Sequence, residues 1–353
     1  MDRQREISVD KTYCSSSFLM FRTIADSKKS FSERIIPRLF EPDFDRYPVK
    51  SSEDIDNIIR RILSEKLKGR KAALMLSSGI DSAILAKYLP KGTKTYTLRC
   101  VAENALDETE HARQYAKECG LYHQIIDVTW YDYMQLSPAL MKHKGAPIHS
   151  IEPQIYKAAL QAKADGFDAL IFGESADCIF GGQSGLFSKN WPLDEFINRY
   201  TYVMPSKVLK EYEIILEPYK KYLEDGLVNI TRFMGDFYYR ESVGSYDNPC
   251  SLADIEFIGP YTRMYLDIPL DLSRIRAGDS KYLVRELYRK LYPNIQSAPK
   301  IPMPRAVDQW LADWSGPRRQ EFVERCVDGL TGDQKWLVFS LELFLDLLEQ
   351  WGC

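Results

Sequence analysis

The sequence predicts an α/β fold: a parallel sheet with helices on both faces, followed by a mostly helical C-terminal region. Three observations carry this. Short apolar runs alternate with helical patterns over roughly residues 51–172. Two of those runs, Ala72 to Leu76 and Ala169 to Phe172, stop at loops of small residues. Beyond Gly182 the pattern turns mostly helical.

Taken in order, residues 1–50 read as a polar, irregular arm or linker that closes with Pro42 and Pro48. Ser52 to Leu67 carries Ile55, Ile58, Ile59, Ile62 and Leu63 at helical spacing. The first strand is expected at Ala72 to Leu76, with its helix from about Asp81 to Tyr88. The second strand is expected at Thr93 to Val101. Glu108 to Cys119 reads as a helix ended by Gly120. His123 to Val128 is the third strand. Helices are expected over about 131–141 and 153–165, and Ala169 to Phe172 is the fourth strand. The aromatic run Phe237-Tyr238-Tyr239 reads as core. These elements divide into an arm at 1–50, an α/β core at 51–190 and a helical part at 191–353.

The chemistry concentrates at two strand ends. Residues 71–82 read KAALMLSSGIDS. A strand that stops at Ser77-Ser78-Gly79 and restarts as a helix near Asp81 makes a cradle for an anion. Backbone N–H groups and the helix N-terminus supply positive potential, and small side chains admit a phosphate. Asp81 suits magnesium, which takes carboxylate and phosphate oxygens. A capped strand-to-helix turn is the plainer reading of the same residues. Residues 168–182 read DALIFGESADCIFGG. Here Glu174 and Asp177 lie three apart and are followed by Gly181-Gly182. Ligands of doubly wound sheets bind outside the carboxyl ends of the strands, so two such ends can face one ligand. Helix capping is the alternative for the two acids.

Together these segments resemble the synthetase domain of the asparagine synthetase family. Ser77-Ser78-Gly79-Ile80-Asp81-Ser82 stands where the family has the pyrophosphate loop SGGxDS. Ser78 replaces its first glycine, which requires a negative φ there. Phe172 to Gly182 is similar to SGEGSDExFGG, with Cys178 in place of the second Glu. Downstream, Glu256 to Tyr261 resembles ExRxPF, and Gly278 to Arg285 resembles G-x-x-K-x-x-L-R. Pro299-Lys300 with Pro302 and Pro304 resembles the R-x-K-x-G-F-x-x-P loop. The match spans roughly residues 40–312.

The resemblance implies an adenine nucleotide alpha hydrolase-like fold and an ATP-dependent ligase. A carboxylate attacks the α-phosphate, pyrophosphate leaves, and ammonia or an amine attacks the acyl-adenylate to give an amide and AMP. It implies ATP and Mg2+ as cofactors. Ser77, Ser78, Gly79, Asp81 and Ser82 would bind pyrophosphate and its metal, and Leu76, Leu98 and Gly173 would line the adenosine pocket. Glu174 would sit beside the acyl-adenylate and accept the amine's proton. Asp177 would join Asp81 at the metal, and Lys281 and Lys300 would neutralise phosphate charge. On spacing alone, Lys281 reads more readily as a solvated helix start. The loop at 183–192 reads either as a cover over the substrate or as a surface link.

Two departures from the family narrow the expectation. The family's glutaminase domain begins at an exposed cysteine, whereas this chain starts Met1-Asp2-Arg3 and has only some 70 residues before the loop. Residues 17–36 resemble the segment that follows that domain. Nitrogen is therefore expected from free ammonia, an amine or a separate glutaminase or amine-supplying protein. The family's Arg in ExRxPF is Ile258 here, with Arg263 at the later position, so L-aspartate is not the expected acid.

Composition agrees with a cytoplasmic enzyme that binds neither nucleic acid nor membrane. The 353 residues are 45% hydrophobic, the net charge is −3, and no apolar run approaches 18 residues. The seven cysteines form no CxxC pair and the four histidines no HxxxH, which disfavours a metal-binding framework. Two other readings stand beside the ligase. One is an ATP pyrophosphatase that modifies RNA; the other is an inactive nucleotide-binding homologue in which Ser78 and Cys178 mark decay.

Overall fold

A computed structural model describes residues 7–42, 44–297 and 301–353. Five parallel strands form the main sheet: β1 (Ala72–Met75), β2 (Lys94–Cys100), β3 (Tyr122–Val128), β4 (Ala169–Ile171) and β5 (Glu256–Ile258). Their order is β5-β4-β1-β2-β3. The chain runs outward from β1 through β2 to β3, then returns to place β4 on the other side of β1. The order therefore reverses between β1 and β4, where open α/β sheets leave a crevice at their carboxyl ends.

Side chains alternate across the sheet, as the two-residue period requires. Leu74 and Leu76 join one apolar core, whereas Ala73 and Met75 join the other. On the first face lie α2 (Ser52–Lys66), α3 (Ile80–Ala86) and α4 (Thr109–Cys119). The second carries α5 (Trp130–Lys144) and α6 (Glu152–Ala164), which lie between β3 and β4. Crossovers of one hand, run in opposite directions from β1, put their helices on opposite faces. Caps mark several helix ends. Ser51 and Thr129 form capping boxes with Asp54 and Asp132, and Gly120 ends α4 in the left-handed region.

Two of the differences from the sequence reading are the largest. The expected irregular arm contains a helix, α1 (Lys11–Phe21), whose residues Cys14 to Phe21 are all buried. Being buried all round, this helix shows no amphipathic stripe, and three serines at 15–17 made it look polar. Two of these serines are satisfied internally. Ser17 donates to the Thr23 carbonyl (2.9 Å), and Ser16 accepts from the Glu213 N–H (2.9 Å). The second difference is β5, only three residues long, which extends the sheet beyond β4 where no strand was expected.

Three of the later helices close the molecule. The first is α8 (Tyr239–Leu252), preceded by the short α7 (Ala176–Ile179) and continuing directly from a π-turn at Met234–Tyr238. Next comes α9 (Tyr282–Leu291), packed against α2 and α3. Last is α10 (Gly332–Gln350), which lies against α1. There Phe31 meets Phe344 edge to face, with ring centroids 4.9 Å apart.

Candidate active site

A cleft of about 210 Å³ opens where β1 and β4 end. Leu76, Ser77, Gly79, Asp81 and Ser82 enter it from the β1 side, and Leu98 from the end of β2. Gly173, Glu174 and Asp177 enter from the β4 side, and Lys281 closes it from the start of α9. Residues about a hundred positions apart thus share one wall. A Cβ on Gly173 would lie 2.8 Å from the Ser82 nitrogen and 3.0 Å from Asp81 backbone and side-chain atoms. Only the absence of a side chain lets the two strand ends approach so closely.

The loop after β1 is tied by its own hydroxyls. Ser77 N–H donates to Ser82 Oγ (3.0 Å), the two serine hydroxyls meet at 2.9 Å, and Gly79 N–H donates to Ser77 Oγ (3.1 Å). Ser78 keeps a negative φ, as the sequence argument requires of a serine at that position. It is buried and does not line the cleft. Its N–H and hydroxyl both donate to Glu108 Oε2 at 2.8 Å. Glu108 does line the cleft. Burial pushes its carboxyl above the ordinary value, and the two Ser78 hydrogen bonds work against that rise. In the sequence Glu108 marks only the start of a helix.

Lys281 stands between the two aspartates. Its ammonium lies 2.6 Å from Asp81 Oδ2 and 2.9 Å from Asp177 Oδ1, and the lysine is 4% exposed. Burial alone would lower its pKa, but the two carboxylates outweigh burial and raise it above the lysine value. The solvated-helix-start reading of Lys281 is therefore overturned. Lys281 also adopts φ +52°, and Ser175, just before α7, adopts φ +77°. Non-glycine residues held there cost roughly 1–3 kcal/mol each, and such strain gathers at ligand sites. The following glycine pair has a packing reason: a Cβ on Gly182 would fall 2.0 Å from Asp177 Oδ1.

Glu174 is set by α8. Ser242 Oγ donates to its Oε1 at 2.7 Å, and Tyr246, on the same side of the helix one turn on, also bonds it and lines the cleft. Burial raises the Glu174 pKa, the nearby Asp177 charge adds to the rise, and the Ser242 hydrogen bond opposes it. Cys178, in place of the family's second Glu, is a buried thiol that donates to the Ser175 carbonyl (3.1 Å). Burial raises its pKa, so it stays neutral.

Ile301, Pro302, Met303 and Pro304 form the outer wall, and Arg285 adds a second cation. Lys300 lies outside the described residues. Ile258 is buried in the apolar core at the end of β5. Arg263 lies over the Phe44 ring (4.7 Å) and does not line the cleft. Tyr261 instead reaches the site's backbone, donating to the Asp81 carbonyl (3.2 Å). Motif spacing had located most of the cleft; it missed Glu108, Tyr246 and Arg285, of which only Arg285 lay inside a quoted motif.

With this geometry in view, the family comparison is decisive. The asparagine synthase family model matches residues 59–240, which is more than half of the chain. The chain belongs to the asparagine synthase family. This synthase-family chain is accordingly an ATP-using PP-loop enzyme. Among solved structures it is similar to the NMN synthetase from Francisella tularensis, at 12% identity and a TM-score of 0.28, over 72% of this chain and 100% of that one. It is also similar to a U34-tRNA thiolase from Methanococcus maripaludis that carries a 4Fe-4S cluster, at 14% identity and a TM-score of 0.26, over 70% and 85% of the two chains. A search of curated protein sequences finds no match. Among the described residues no group of three or more His, Cys, Asp or Glu side chains could hold a metal, and no helix is long and apolar enough to cross a membrane.

Proposed function

We propose that this enzyme adenylates a carboxylic acid with ATP and transfers the acyl group to ammonia or an amine, releasing AMP and pyrophosphate. The observation that carries the proposal is the convergence of Asp81, Asp177 and Lys281 with Glu174 in one cleft at the sheet's reversal point. A leaving pyrophosphate needs positive charge and fixed N–H donors. Lys281, Arg285 and the N-terminus of α3 supply these on one side of the cleft. Leu76, Leu98 and Phe172 give it an apolar side fit for a base.

Asp81 and Asp177 fit magnesium. Their carboxylates are close enough to share one ammonium, and magnesium uses one or two carboxylates with phosphate oxygens. When bound with ATP the ion would supply charge neutralisation on the phosphates. Lys281 already holds the two acids together, and with a nucleotide bound its charge would help to neutralise the phosphates.

Glu174 serves the second half-reaction. A nucleophilic amine must lose a proton as the amide forms, and a carboxylate with a raised pKa is a competent acceptor near neutral pH. Ser242 and Tyr246 fix its orientation. The mildly negative net charge and the absence of CxxC favour this reading over RNA modification. ATP–pyrophosphate exchange across a panel of carboxylic acids tests the proposal. Exchange dependent on a particular acid supports it; exchange seen only with RNA present, or none at all, refutes it.

A further inference from the structure

Beside the nucleotide cleft lies a second chamber of about 480 Å³. Residues adjacent in the chain line the two spaces. Pro304 lines the cleft and Arg305 lines the chamber. Tyr238, which lines the chamber, sits one turn before Ser242, the partner of Glu174. The chamber therefore adjoins the acid–base side of the active site. Gln183 and Leu186 of the loop after Gly182 form part of its wall, and Gln183 bonds the Tyr238 hydroxyl (3.3 Å). Of the two readings left open for that loop, its contacts favour a cover.

Donors dominate the chamber. Arg22, Arg199 and Arg305 line it, with His149, Gln183 and Gln334. The carboxylate in its lining, Asp333, pairs with Arg305, and Arg22 is paired from outside the chamber by Glu241 (2.8 Å). Arg199 is exposed at the chamber's edge. His149 is 6% exposed, and its Nε2 must accept from Arg22 Nη1 (2.6 Å), because a guanidinium only donates. The ring is neutral: burial lowers its pKa, and the cations Arg22, Arg305 and Lys144 lower it further. Nδ1 therefore carries a hydrogen, and this buried donor has no partner; neither does Arg22 Nε. A buried donor without an acceptor costs roughly 1–3 kcal/mol. Arg22 is held for the role by stacking over Tyr202 (4.0 Å) and by the φ of +62° that ends α1.

We infer that this chamber binds a carboxylate carried by one of the two reactants, in addition to the carboxyl that is activated. Arginine guanidiniums match carboxylate oxygens, and burial strengthens such charge-assisted bonds. The carboxylate belongs either to the far end of the acid or to an amino-acid nucleophile. Calling the ligand a reactant rests on the adenylation reading; the binding chemistry does not.

The test uses the full chain without nucleotide, at matched ionic strength, and reads Tm with two pairs of probes. Glutarate against glutaramide represents the acid, and glycine against glycinamide represents the amine. The carboxylate member of at least one pair should raise Tm by roughly 2 °C at saturating millimolar concentration, with no effect of its amide. Arg305→Gln and the exposed Arg199→Gln should each diminish that rise while preserving the shift given by ATP. If neither carboxylate raises Tm, if the amides act equally, or if a folded variant retains the full rise, the inference is wrong. An ATP shift without a carboxylate shift sinks the chamber alone. A carboxylate shift without any pyrophosphate exchange sinks the adenylation reading alone.

Discussion

At the residue scale, Gly173 sets the tightest tolerance in the cleft. Gly173→Ala drives a methyl onto the Asp81–Ser82 backbone, which cannot yield as a flexible side chain would. We expect a loss of about 1–3 kcal/mol in urea denaturation, together with weakened ATP binding. Lys281→Met leaves Asp81 and Asp177 facing each other. Breaking a buried pair costs about 3–5 kcal/mol, and the lower end applies because the Asp177 side chain is 33% exposed. The raised lysine pKa gives the sign of the pH effect. Its contribution is full below the ordinary lysine value of 10.5 and is lost as pH climbs through the higher folded value. The stability gap between wild type and Lys281→Met should thus hold up to about pH 10.5 and narrow above it. Glu174→Gln separates the half-reactions. Pyrophosphate exchange should persist, amide formation should fall about 100-fold or more, and the wild-type rise of amide formation with pH should run through a pKa above 4.5.

At the scale of elements, the strands and helices from Ser52 to Ile171 were legible because each carries its own period and its own stop. Gly120 ends α4, and Ser51 and Thr129 open α2 and α5. Helix α1 was not legible, since from Cys14 on it is buried all round and has no polar face to set the phase of its pattern. Phe18 on that helix has no exposure, so Phe18→Ala should cost about 3–5 kcal/mol in denaturant unfolding. An irregular arm would give almost nothing. Strand β5 was too short to show a period. Site residues were readable where a motif fixes them near a strand end, as with Asp81 and Asp177. Glu108 and Tyr246 reach the cleft from helices that carry no such mark; only tertiary packing brings them there.

At the scale of the whole molecule, the strand order is what joins two distant motifs. β4 lies beside β1 rather than beyond β3, so Gly173 meets Ser82 and Glu174 shares a cleft with Asp81. The same arrangement bears on substrate choice. Ile258 is locked in the core and Arg263 lies against Phe44 outside the cleft, so neither stands in for the Arg of the family's ExRxPF stretch. Aspartate, ATP and ammonia should therefore give no asparagine at an ordinary enzymatic rate, as amino-acid analysis of the mixture would reveal. The most direct test of the central claim is phosphorus NMR of the nucleotide products formed from ATP, magnesium, ammonia and a mixture of carboxylic acids, run with wild type and Asp81→Ala. We expect AMP and pyrophosphate from the wild type and unchanged ATP from the variant. Production of ADP and inorganic phosphate, or equal turnover by Asp81→Ala, would contradict cleavage between the α- and β-phosphates in this cleft.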